Sequence, residues 1–177
     1  MTLPPTWTCS CCGKLHNGLP LDFGIFFPDY YAGWRKTLSA DEIKERSLFN
    51  DDICVVDHEY YFVRGVIELP IIGFPTDCFR WGVWCSVSKK SFDEIISLWN
   101  ADPSGHGPFF GWLNSVLPLY TPSTLNLKTN LHLRGNNLRP KVELQQTDHP
   151  LALEQRNGIT IERVQEIAAA LLHEKES

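Results

Sequence analysis

The sequence of 177 residues has little positive charge: 16 lysine and arginine residues stand against 21 aspartate and glutamate residues, which gives a formal net charge of −5. A protein that binds nucleic acid through its phosphates needs an excess of cationic side chains, so this balance argues against a general nucleic-acid binder. The sequence also lacks an apolar run of the roughly 18 residues that a membrane helix needs. Met1 to Thr8 contain neither the basic nor the apolar part of a secretory signal. We therefore expect a cytoplasmic protein that does not associate with membranes.

Recognisable catalytic motifs are also missing. The chain contains no Gly-x-Ser-x-Gly nucleophile elbow, no phosphate-binding loop and no His-Glu-x-x-His pair. No internal repeat and no long linker divides the chain. Motifs alone therefore do not decide whether the protein is an enzyme.

The composition predicts a folded protein, because 43% of the residues are hydrophobic and 12% are aromatic. We expect a single domain over residues 1–177, with an irregular, cysteine-containing N-terminal segment over 1–28. The patterns beyond it predict an α+β fold, in which an antiparallel sheet of about five strands has helices packed on one side.

Several local patterns support this fold. Residues 79–88 alternate between apolar and polar side chains, which is typical of a half-buried strand. Capping boxes predict helices that begin after Ser39 and Ser91. The apolar stretch 109–117 suggests a further helix, and Pro150 after His149 begins another.

Six cysteines are the sharpest chemical feature. Thiols stay reduced in the cytoplasm, so the even number is no evidence for disulfides. Cys9 and Cys12 are two residues apart and are followed by Gly13, a spacing that lets two thiolates bind one tetrahedral zinc ion from a tight turn. His16 is a third candidate ligand. The alternatives are two unliganded surface thiols and a redox-active dithiol, but the dithiol motif belongs at the start of a helix, and Gly13 disfavours a helix here.

A fourth zinc ligand has to come from a distant part of the chain. Cys54 and His149 are the best candidates, since Cys54 follows an acidic turn and His149 precedes a predicted helix. Cys85 lies on the apolar face of the predicted strand, and we expect it and Cys78 to pack as small hydrophobic residues.

A second candidate site lies on the polar faces of the predicted strands. Arg64 belongs to one strand, and Arg80, Trp84 and Ser86 share one face of the next. A face that gathers these side chains would suit a carboxylate or a phosphate, because the guanidinium group binds such oxygens in pairs. The alternative is an ordinary solvated sheet face, and strand register decides between the two.

The order of motifs along nearly the whole chain resembles that of a bacterial family called domain of unknown function 2199. The matching motifs are Cys9-x-x-Cys12-Gly-x-x-His16, Gly18-Leu-Pro20, Asp51-Asp-x-Cys54, Phe62-Val-Arg64-Gly, Trp81-Gly-Val-Trp84 with Ser86, Gly111-Trp-Leu113, Arg139-Pro140, and His149-Pro-Leu151 with Gln155 and Gly158. The family name implies no activity. The resemblance makes Cys9, Cys12, His16, Cys54 and His149 the positions to test.

These observations favour a protein with a structural zinc ion and an interaction or regulatory role. Its acidic charge suits a protein partner with a basic surface. A zinc-dependent hydrolase and a binder of small anions are the alternatives. The number of protein ligands separates the structural zinc protein from the zinc hydrolase, because a catalytic zinc keeps one position open for water.

Overall fold

The computed structural model describes residues 3–173, and these form ten strands and five helices. The strands are β1 (Thr6–Thr8), β2 (Leu15–Asn17), β3 (Asp22–Gly24), β4 (Ser47–Phe49), β5 (Ile53–Val56), β6 (Tyr60–Ile71), β7 (Phe74–Val87), β8 (Phe109–Leu113), β9 (Lys128–His132) and β10 (Lys141–Leu144). The helices are α1 (Asp29–Thr37), α2 (Ala40–Arg46), α3 (Lys89–Leu98), α4 (Pro150–Asn157) and α5 (Ile161–His173). None of these helices has the length and apolar character needed to pass through a bilayer.

The main sheet has eight strands in the order β3-β7-β8-β9-β10-β6-β5-β4. Its pairs are mostly antiparallel, and only β3–β7 and β10–β6 run parallel. An additional β6–β7 pairing joins β6, β7, β8, β9 and β10 into a ring. The α+β class is confirmed, whereas the prediction of about five strands is too low, because short strands such as β3 and β4 extend the sheet beyond the ring.

The long hairpin of β6 and β7 is the centre of the sheet. Its register places Arg64 opposite Trp84 and Val63 opposite Cys85. Neighbouring residues of a strand face opposite sides of the sheet, so the two pairs lie on opposite faces. The strand predicted over 79–88 is confirmed in position but begins earlier, at Phe74.

Helices contribute to the apolar clusters on both faces, not to one as predicted. Phe62 and Trp84 pack in a cluster with Tyr31 of α1. The opposite face belongs to the largest cluster, which includes Val63 together with residues of α3, α4 and α5, namely Phe92, Ile95, Leu151, Ala152, Val164 and Ile167. The part of the hairpin around Phe62, Val63, Trp84 and Cys85 is therefore covered on both sides.

Two helix starts and one strand show how local signals compare with the fold. The Ser39 hydroxyl accepts a hydrogen bond from the Glu42 N–H and caps α2 as predicted. Helix α3 begins at Lys89 with Ser88 as its cap, so the start assigned to Ser91 is one turn late. Residues 109–117 are not helical, since β8 (Phe109–Leu113) alternates buried and exposed side chains against β7 and β9.

Candidate metal centre

The N-terminal segment is more regular than its composition predicts, because β1 and β2 form a small antiparallel hairpin that pairs Trp7 with His16. Within the turn, the Cys9 N–H donates to the Lys14 carbonyl at 2.9 Å, and the Gly13 N–H donates to the Cys9 carbonyl at 2.9 Å. Gly13 has a φ of 67°, a left-handed conformation that glycine adopts without strain. This tight turn holds both thiols of the Cys-x-x-Cys motif on the same loop.

The hairpin packs against the last helix. Trp7 and Cys9 are buried in one apolar cluster with Ala168 and Ala169 of α5. The small alanine side chains allow the hairpin to approach the helix closely. This contact brings residues from the two ends of the chain together, which no local sequence pattern predicts.

Four candidate ligand atoms meet at this contact. Those of Cys9, Cys12, His16 and His173 all lie within 4.8 Å of one another. The Cys9 Sγ is 3.2 Å from the His173 Nε2, and the Cys12 Sγ is 3.5 Å from the His16 Nε2. Two thiolates and two imidazoles are a typical ligand set for a tetrahedral metal site. This cluster could therefore hold a metal ion.

The surroundings of Cys9 favour the thiolate, the form that binds metals. Burial of the side chain raises the pKa of Cys9, but backbone hydrogen bonds from Cys12 and Cys11 and the ring of His173 outweigh it, so the pKa falls to about 7. The ring of His16 stacks on Trp7 with centroids 5.2 Å apart. One thiol and one imidazole are thus held in place by the hairpin itself.

The two residues expected to complete the site lie elsewhere. Cys54 is buried beside Phe62 and Trp84, where burial raises the pKa of its thiol to about 12. The His149 Nδ1 accepts a hydrogen bond from the Leu151 N–H at 3.1 Å, and its Nε2 lies 2.9 Å from the Pro122 carbonyl. Both ring nitrogens of His149 are thus used in capping α4 and holding a loop. The residue that joins Cys9, Cys12 and His16 is His173.

Sequence reasoning missed His173 because its local context is ordinary. It lies in the last turn of an amphipathic helix, a position where basic residues are common because they interact with the helix dipole. Nothing in its neighbours resembles a metal motif. Only the contact between α5 and the N-terminal hairpin identifies it as a ligand candidate.

The structure places the four residues of the second predicted site on a single sheet face. Arg64 lies opposite Trp84, and Ser86 lies opposite Phe62 on the same two strands. Trp84 is fully buried, however, and its Nε1–H donates to the Ile25 carbonyl at 3.1 Å. Arg80 pairs with Asp22 at 3.6 Å. The four residues share one face, but the apolar cluster that covers Trp84 divides this face. The four side chains therefore do not form one open surface.

Fold and site together define an α+β protein with a candidate Cys2His2 metal centre. A family model described as an uncharacterized protein conserved in bacteria, DUF2199, matches residues 8–159. The chain belongs to this family, as its motifs suggested. Neither a curated protein nor a solved structure matches the chain. The matched region includes Cys9, Cys12 and His16 but ends before α5, which supplies His173.

Proposed function

We propose that this protein binds a structural zinc ion through Cys9, Cys12, His16 and His173, and that the ion fastens the N-terminal hairpin to α5 in a protein whose role is to bind another protein. The observation that carries the proposal is the meeting of four donor atoms within 4.8 Å from two segments at opposite ends of the chain. Zinc is the metal that this mixed thiolate and imidazole set suits best.

The number of ligands argues for a structural role. A tetrahedral zinc ion held by all four side chains has no position left for water, which a zinc hydrolase needs as its nucleophile. The Cys9 side chain is buried against α5, so one side of the site is closed to solvent. The proposal therefore excludes hydrolysis at this ion.

An apolar groove beside the metal centre is the surface that we assign to the partner. It has a volume of about 600 Å³ and runs between β3 and α5, and its lining includes Phe26, Val116, Leu171 and Leu172. Phe26 is 71% exposed, which is unusual for so large an apolar side chain. Because α5 carries both the groove wall and His173, a zinc ion at His173 would hold that wall in place. With a net charge of −5 and Asp22 in the lining, the groove suits an apolar side chain on a basic protein.

The metal proposal predicts one zinc ion per chain after purification without chelator. X-ray absorption at the zinc edge should show two sulfur ligands at about 2.3 Å and two nitrogen ligands at about 2.0 Å. Removal of the ion by a strong chelator should lower the melting temperature, and added zinc should restore it. A chain purified without metal whose melting temperature ignores added zinc would contradict the proposal. A spectrum with three protein ligands and a water would favour the hydrolase instead.

The interaction proposal predicts that substitution of Phe26 by glutamate weakens binding to a basic bacterial protein. A partner captured from a bacterial lysate would be purified, and its binding to the wild type and to F26E compared by calorimetry. We expect a loss of at least tenfold, since a charge would replace an exposed apolar anchor. Leu48→Glu is the matched control, because Leu48 is 54% exposed and is not part of the groove lining. Equal loss in both variants, or in neither, would contradict this assignment of the groove.

A further inference from the structure

The guanidinium group of Arg64 is poorly paired for its degree of burial. Within residues 3–173, the Arg64 Nε is the one buried side-chain nitrogen or oxygen that has no hydrogen-bond partner. The Nη1 group donates to the Asp51 carbonyl, but at a long 3.4 Å. Arg64 forms no ion pair with any carboxylate of the described chain. A half-buried positive charge without a carboxylate bound directly to it is costly, so Arg64 lacks a direct negative partner.

A second guanidinium group lies beside the first. The Arg139 Nη2 donates to the same Asp51 carbonyl at 3.2 Å, so one oxygen receives hydrogen bonds from both arginines. The Arg139 Nε binds the Asp52 carboxylate at 2.8 Å, which compensates the charge of Arg139. Burial lowers the pKa of Arg64, and the charge of Arg139 lowers it further, while Asp51 and Asp52 act in the opposite direction. Asp52 is thus already engaged, and Arg64 remains without a direct counter-ion.

Two glycines of the neighbouring strands leave room for the Arg64 side chain to lie across the face of the sheet. A Cβ atom added at Gly24 would lie 2.9 Å from the Arg64 Nη2, and one added at Gly82 would lie 3.8 Å from it. The Arg64 Cζ lies 5.6 Å from the centre of the Trp84 ring, which gives the guanidinium a weak cation–π contact. The two glycines and the indole hold the group in place on the sheet without neutralising it.

Neighbouring arginines do not share this feature. Arg80 pairs with Asp22 at 3.6 Å, and Arg134 pairs with Glu68 at 3.7 Å. Both ion pairs lie close to the same stretch of β6 and β7, so carboxylates are available in the region. Among these neighbouring arginines, Arg64 is therefore the one that no carboxylate pairs with.

We propose that Arg64, supported by Arg139, binds a small oxyanion, the carboxylate or phosphate group of a small molecule. Such a group would accept hydrogen bonds from the guanidinium N–H groups of Arg64 and supply the missing negative charge. The site is separate from the metal centre, because Cys9, Cys12, His16 and His173 take no part in it. Of the four residues expected from the sequence, Arg64 would bind the oxyanion, and the ring of Trp84 lies against the Arg64 guanidinium. Arg80 and Ser86 have other partners.

The side-chain Nε–H resonance of Arg64 offers a direct test by nuclear magnetic resonance. Wild-type protein with its metal would be titrated with sodium phosphate and, separately, with sodium acetate, against sodium chloride at constant ionic strength and pH. We expect a saturable shift of this resonance with at least one oxyanion and none with chloride. A response to phosphate alone would identify a phosphate ligand, and a response to acetate alone a carboxylate. The titration covers a 50-fold molar excess of each ion over the protein and continues to roughly 20 mM. No response to either ion over this range would overturn the proposal.

A thermal comparison tests the same site with variants. At an oxyanion concentration ten times the dissociation constant, the wild type should melt about 3–5 °C higher. Arg64→Gln should lose this rise yet melt no lower than the wild type in chloride, because it removes an unpaired charge. Arg80→Gln is the matched control and should keep the rise. An equal rise in the wild type and in Arg64→Gln would show a general salt effect and overturn the proposal. Loss of the rise in Arg80→Gln would overturn it as well.

Discussion

Replacement of His173 by alanine is expected to lower the affinity for zinc by about 100-fold. The binding free energy of a structural zinc site is about 10–16 kcal/mol, so the loss of one ligand in four removes about 3 kcal/mol. The His173 Nε2 lies 3.2 Å from the Cys9 Sγ, close enough for both to contact one ion. Competition with a chromophoric chelator would measure the affinity. In the same variant, amide exchange along α5 should become faster, because the ion no longer ties the helix to the hairpin.

Two variants serve as controls for this experiment, because each removes a residue that the sequence suggested as a ligand. His149→Asn keeps a side chain that can cap α4, and Cys54→Ala removes a buried thiol outside the cluster. Both should retain the zinc affinity of the wild type. A large loss of affinity in either control, with His173→Ala unaffected, would show that the ligand set is different.

Replacement of Trp84 by alanine is expected to reduce the free energy of unfolding by about 3–5 kcal/mol, the usual cost of removing a buried tryptophan side chain. Trp84 is fully buried, and its Nε1–H donates to the Ile25 carbonyl. The deletion leaves a cavity beneath α1 and removes the donor for that carbonyl. Denaturation by urea, with the slope checked for a change in the unfolded state, measures the effect.

Trp112 provides a matched comparison for Trp84. It is the same residue type, it lies on the next strand, and its partner in the register is Ser86, so it faces the same side of the sheet as Trp84. It is 40% exposed, and Trp112→Ala should therefore cost less than about 1 kcal/mol. Similar losses in the two variants would mean that Trp84 is not part of a packed core, and the ligand-binding role expected for it from the sequence would regain support.

Local signals in the sequence predicted those elements whose structure depends on near neighbours. The Ser39 capping box and the helix after His149 both depend on hydrogen bonds within a few residues, and both are present. The prediction of a helix over residues 109–117 is wrong, because an apolar run does not distinguish a helix from a strand. Pairing of β8 with β7 and β9 decided this segment, and that pairing involves residues far apart in the chain.

The candidate metal site divides in the same way. The Cys9–Cys12 pair, Gly13 and His16 are recognisable by spacing because one turn of a hairpin holds them together, and the sequence by itself determined that half of the site. The sequence also determined that Arg80, Trp84 and Ser86 share one face of their strand, since alternation along a strand follows from its geometry. The register that places Arg64 on the same face came from the structure. The fourth candidate ligand, His173, and the second arginine, Arg139, were decided only by the tertiary structure. Contacts between distant segments arise from packing, as Ala168 against Cys9 shows, and a linear sequence carries no local mark of such a contact.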